Sequence, residues 1–167
     1  MNKIIRILSF FILSGSLLTS CTKDDSGNTA DVRPAVPVTV QNAIDYRPDP
    51  TVGALRSTGG VIQIILTIPA GLGRTIKEIS KVAANTTYTQ IQGTGTTGFY
   101  NSAPIAGTGT TATFTTSLTE YFLKKPITAS NLAANVNAEL GNRFYFLVTL
   151  DDNSVIVTRP VRVLVLD

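Results

Sequence analysis

The chain has no histidine and no tryptophan, and its single cysteine is Cys21. Without histidine it lacks the commonest general base and metal ligand. Once Cys21 is used elsewhere, a zinc site of the usual kind, Ser–His–Asp catalysis and Cys–His catalysis are all excluded. One cysteine cannot form an intrachain disulfide. Without tryptophan, the best ring for stacking on a sugar is missing. Charged residues make up only 15% of the chain, and the basic ones are scattered apart from Lys124-Lys125. That is no electrostatic footprint for nucleic acid.

What is present begins at the amino terminus. Lys3 and Arg6 precede an apolar run from Ile7 to Leu18, and the small residues Thr19 and Ser20 lead into Cys21. About twelve apolar residues fall short of the roughly 18–20 that a membrane-spanning helix needs. The three-part pattern predicts an export signal over residues 1–20. Removal of that segment takes Lys3 and Arg6 with it. Twelve basic and eleven acidic residues then remain, about +1, so the sequence pI near 9.2 overstates the basicity.

Leu18-Thr19-Ser20-Cys21 resembles the lipobox of bacterial lipoproteins. The resemblance implies diacylglyceryl alkylation of the Cys21 thiol, cleavage just before it and acylation (palmitate or a similar chain) of the new amino terminus. The alkylated nucleophile is a thiolate, so the position demands cysteine. A single chain anchors only marginally, while two or three on one residue hold firmly. Thr22-Lys23-Asp24-Asp25 resembles the acidic export signal of Bacteroidetes-type surface lipoproteins. By that resemblance Lys23, Asp24 and Asp25 address the protein to the exterior face of the outer membrane. Residues 21–36, polar and proline-bearing, read as the lipidated cysteine and a flexible tether. About fifteen such residues have a root-mean-square span of roughly 20 Å.

Residues 37–167 read as one β-rich domain. Strands are expected at Val38–Gln41, Val61–Ile68, Thr75–Val82, Thr86–Gln92, Thr110–Thr116, Arg143–Leu150 and Val155–Leu166. Val61–Ile68 puts Ile62, Ile64, Leu66 and Ile68 on one face. Asp151-Asp152-Asn153-Ser154 supplies turn chemistry for a closing β-hairpin. Leu118–Lys125, stopped by Pro126, and Ser130–Leu140, with Ser130 as cap, read as short helices. About seven short strands predict an all-β fold, an antiparallel immunoglobulin-like or fibronectin-like sandwich, with a small β-barrel as the alternative. Asn142 to Asp167 also resembles the closing hairpin of immunoglobulin-like domains in such surface lipoproteins.

Gly93-Thr94-Gly95-Thr96-Thr97-Gly98 matches the dinucleotide fingerprint in its letters. The fingerprint works only where a strand enters and a helix begins. Phe99-Tyr100-Asn101-Ser102-Ala103-Pro104 is poor helix, so no nucleotide is expected. The near-copy Gly107-Thr108-Gly109-Thr110-Thr111 marks both as loop sequence. Asp151-Asp152-Asn153 lacks the spaced pattern of a calcium loop and reads as the hairpin turn. No catalytic residue, metal ligand or cofactor is assigned. Tyr100, between the two Gly-Thr loops, is the candidate for sugar stacking at a loop tip, with Tyr88 and Tyr121 as companions. The expected function is a non-catalytic structural, adhesion or accessory-binding module, lipid-anchored at the cell surface, with a protein or polysaccharide partner. The alternative is a glycan-binding accessory to an outer-membrane uptake system.

Overall fold

The computed structural model describes residues 35–125 and 137–167. The chain divides into two units, Met1–Arg33 and Pro34–Asp167, and every described residue belongs to the second. The expected signal segment, Cys21, and Lys23, Asp24 and Asp25 lie outside the described residues. Among the described residues no helix is long and apolar enough to cross a membrane.

Ten strands are present among the described residues: β1 Thr39–Val40, β2 Thr51–Leu55, β3 Val61–Thr67, β4 Ile76–Asn85, β5 Ile105–Ala106, β6 Thr111–Ser117, β7 Ala138–Glu139, β8 Arg143–Leu150, β9 Val155–Val157 and β10 Arg162–Leu166. Two short helices are α1, Thr89–Gln92, and α2, Leu118–Lys124. The first layer has the order β1-β3-β6. The second is built from β5-β4-β8-β9 and β2-β10-β7, joined by the bridge between Phe144 and Val161. β7 and β8 are thus two halves of one strand position, as are β9 and β10. All named pairings are antiparallel except β2 with β10. The amino-terminal strand position is also divided, with β1 in one layer and β2 in the other. This is the immunoglobulin-like sandwich that the strand pattern predicts, and the sheets do not close into a barrel.

The β-branched alternation of β3 aligns Ile62, Ile64 and Leu66 inward, and all three are fully buried. Phe114 of β6 meets Phe144 and Phe146 of β8 across the layers, at 5.3 and 5.5 Å between ring centroids. One apolar cluster holds residues of both sheets, including Ile79, Val148, Val163 and Tyr121.

Four sequence expectations are corrected. Thr75–Val82 and Thr86–Gln92 are not two strands. A single strand runs Ile76–Asn85, and the Asn85 side chain then accepts the Thr86 N–H at 2.7 Å, so the backbone turns into α1. Val155–Leu166 is not one hairpin arm. Its regular ladder with β8 ends at Val157 and is interrupted at Pro160, which has no N–H to give, although Thr158 and Val161 still bond Phe146 and Phe144 of β8. Beyond Pro160 the chain crosses to run parallel with β2. Of the expected helix Ser130–Leu140, Ala138–Glu139 is strand, drawn into the ladder of β10, and residues 130–136 lie outside the described residues. β2 itself was unexpected: Thr-Val-Gly-Ala-Leu has little strand signal, and its partner lies more than a hundred residues away.

The hairpin turn takes its expected place. Leu150 donates to Ser154 at 2.9 Å, and Asn153 adopts φ 64°, a left-handed conformation that asparagine tolerates. The helix Leu118–Lys124 also forms as expected. Ser117 caps it by accepting the Glu120 N–H at 3.1 Å.

Candidate functional site

The second layer is covered on part of its outer side. Residues 86–104 leave β4, cross the outer face as α1 and the first Gly-Thr loop, and return to β5. Ile91 of α1 is buried there against Ala83 and Tyr145, with Phe99, Leu147 and Val157 packed around them. Tyr88 meets the Tyr145 ring edge-on at 4.6 Å. Lys81 lies over the Phe99 ring at 4.7 Å and donates to the Gly95 carbonyl at 3.2 Å. This cover explains why β8 is apolar on both faces, whereas an open antiparallel sheet alternates. Gly93 to Gly98 form an exposed loop tip, with no helix to receive a phosphate.

After that loop the chain turns inward at Tyr100. The expected loop-tip position is corrected: Tyr100 is only 4% exposed. Its ring packs between Phe114 and Phe144, and its hydroxyl bonds Thr116 Oγ1 at 2.8 Å. Burial raises its pKa. Lys124 covers it from the outside, 4.4 Å above the ring, and donates to its carbonyl at 2.7 Å. A chain entering between two sheets must bring apolar surface, and Tyr100 is the large ring at that point. Tyr121 is likewise fully buried, and its hydroxyl accepts the Asn142 N–H at 3.1 Å. Tyr88 is partly exposed but engaged with Tyr145. The three rings form no exposed platform.

The acidic turn is taken up by cations of this chain. Arg74 pairs with both Asp151 (2.8 Å) and Asp152, and Lys77 donates to Asn153 at 2.8 Å. The Arg74 hydrogen bonds hold both carboxyls below their ordinary pKa. Asp49, mostly buried, lies between Arg143 at 3.5 Å and Arg159 at 3.3 Å. Among the described residues no group of three or more metal-ligating side chains converges. Two surface pockets measure about 150 Å³, beside Lys81 and Asn101, and about 100 Å³, beside Tyr46 and Arg159. Both fall below the roughly 300 Å³ at which small-molecule sites begin.

The first layer differs. None of β1, β3 and β6 contains a charged residue. Its outer face presents the cross-strand pairs Thr67–Thr111, Ile65–Thr113, Gln63–Thr115 and Val61–Ser117, with Thr39 beside Thr67. Val61 is 48% exposed, and Gln63, Thr113 and Thr115 are also exposed. No described segment crosses this face as residues 86–104 cross the other.

The two edges of this layer are unlike. On the β1 side Asn42 prolongs the ladder with its side chain, donating to the Gln63 carbonyl at 2.8 Å and accepting the Ile65 N–H at 3.0 Å. On the β6 side the register fixes which groups face outward. Ile68 N–H bonds Thr110 and Leu118 N–H bonds Gly60, so by antiparallel alternation Ala112, Phe114 and Thr116 bond β3. Thr111, Thr113, Thr115 and Ser117 then point N–H and C=O away from β3. Thr111 is closed by Thr108, at 2.7 and 3.1 Å. The outward backbone groups of Thr113 and Thr115 meet no described residue. The alternation of threonine with Ala112 and Phe114 was legible in the sequence, but its position at an edge was not.

Fold and surface define a small immunoglobulin-like sandwich with one partly covered and one bare sheet. No protein-family model matches the chain, and neither the curated proteins nor the solved structures compared with it yield a match.

Proposed function

We propose that this protein is a lipid-anchored, non-catalytic contact module, held through Cys21 on the exterior face of the outer membrane. The observation that carries the anchor is Leu18-Thr19-Ser20-Cys21 at the end of a short apolar run behind Lys3 and Arg6. Lys23, Asp24 and Asp25 supply the address to the cell exterior. The bare, uncharged outer face of β1, β3 and β6 supports a structural, adhesive or accessory-binding role: such a face costs little to desolvate. Burial of Tyr100 and Tyr121 leaves the glycan-platform alternative without the rings it needed.

Labelling with a radioactive or clickable fatty acid tests the anchor. The parent chain takes up label, and Cys21→Ala takes up none and accumulates as precursor. Label persisting in Cys21→Ala would overturn the proposal. Replacing Lys23, Asp24 and Asp25 by alanine should protect the domain from protease added to intact cells, and unchanged cleavage would remove the address from the reading.

A further inference from the structure

We infer that β6 pairs with β6 of a second copy of this chain, joining two first layers into one continuous antiparallel sheet. The inference deepens the contact-module reading by naming its partner, and it does not depend on the lipid.

Three observations carry it. Thr113 and Thr115 each direct outward a backbone N–H and C=O that meet no described residue, the arrangement that templates a further strand. The usual safeguards are missing: β6 is seven residues long, with no charge, proline or bulge. Its sequence is also close to a palindrome about Phe114. Reading outward from Phe114, Thr113 matches Thr115, the small Ala112 matches Thr116, and Thr111 matches Ser117. A two-fold axis through Phe114 therefore sets Thr113 opposite Thr115 of the other copy, and Thr115 opposite its Thr113.

In that register Thr113 and Thr115 form hydrogen-bonded pairs, which take up the outward groups of both residues at once. Threonine faces threonine on the outer side, a favourable cross-strand pair, and no like charges meet. An unrelated extended peptide could use the same donors and acceptors. It would gain nothing from the palindrome, which favours a second copy. Two other edges are poorer templates. The β1 side is closed by Asn42, and β5 is two residues long.

The register makes the test specific. Residues opposed in a hydrogen-bonded pair have Cα atoms about 5.5 Å apart, within disulfide reach, whereas Thr113 and its own symmetry mate are offset by two residues, beyond about 7 Å. Full-length Thr113→Cys and Thr115→Cys chains, solubilised in mild detergent, are oxidised alone and mixed, with the parent chain carrying only Cys21 as control. The mixture should yield at least about tenfold more cross-linked dimer than either chain alone, because pairing raises the local thiol concentration. Equal cross-linking in all samples, or none above the parent, overturns the inference. In sedimentation the parent should be a dimer and Thr113→Lys/Thr115→Lys a folded monomer with an unchanged far-ultraviolet spectrum. A monomeric parent, or a variant that is folded and still dimeric, also overturns it. Fatty-acid labelling at Cys21 reads the anchor separately, so either proposal can fail without the other.

Discussion

The two sheets of one sandwich have been finished in opposite ways. The β4–β8 layer carries a second small core on its outer face, built from Ile91, Tyr145 and their neighbours, and is fastened at its margins by Arg74 with Asp151 and Asp152 and by Arg162 with Glu139. The strands of the β1-β3-β6 layer carry no charge, and no described segment covers them. Both contribute to the interior. The difference lies wholly on the outside, and it separates the sheet that spends its outer surface on stability from the one whose outer surface is open to a partner.

The comparison can be broken at several points. The largest effect is expected at Phe144, which touches Tyr100, Phe114, Tyr121 and Phe146. Phe144→Ala should lose about 3–5 kcal/mol, the usual range for deleting a buried ring. Urea unfolding measures it, and a loss below about 1 kcal/mol would mean that the rings do not share one core.

A smaller effect is expected from Ile91→Ala, which removes the plug of the outer core. It should cost about 2 kcal/mol, the low end for a buried isoleucine, since α1 can partly collapse. Proteolysis between Gly93 and Gly98 should accelerate as the cover loosens. Unaltered cleavage would show that residues 86–104 are held by something other than Ile91.

On the bare sheet the expectation reverses. Thr113→Lys, compared with the parent at a concentration low enough for both to be monomeric, should change folding stability by no more than about 0.5 kcal/mol, as for an exposed surface site. A large loss would mean that this face is covered after all.

The smallest effect is set by pH. The carboxyls of Asp151 and Asp152 are held low by Arg74, and that of Glu120 by Lys124 and Thr116. A depressed folded pKa contributes stability above the unfolded value, near 4, that is lost as pH falls through the folded value. Melting temperature should therefore decline as the solution is acidified below about pH 4. Arg74→Ala should flatten that decline, and an identical acid limb would show that the turn is not fastened there.

Much of the fold was legible in the chain. The inward rows of Val61–Thr67 and Arg162–Leu166, the turn at Asp151–Ser154 and the short helix from Leu118 all follow from local pattern, because alternation, turn chemistry and a stop at proline are properties of neighbours in sequence. The misses are non-local. β2 exists because β10 passes beside it, and Thr89–Gln92 is helical where Ile91 can be buried on Tyr145. Tyr100 looked exposed because glycine and threonine surround it. Its burial depends on the gap between two sheets, which no local pattern describes. The Thr110–Thr116 alternation showed a strand, but an edge is defined by what fails to pair with it.

By itself the sequence determined the amphipathic strands, the chemistry available without histidine, and the resemblances at Leu18–Cys21 and Lys23-Asp24-Asp25 on which the proposed anchor and address rest. All of these depend on residue identity and short-range order. Only the tertiary structure decided which sheet is covered, that Tyr100 faces the core, and that Thr113 and Thr115 hold out backbone groups that no described residue meets. Burial and hydrogen-bond satisfaction belong to the packed arrangement of distant segments, and they are settled when the sheets meet.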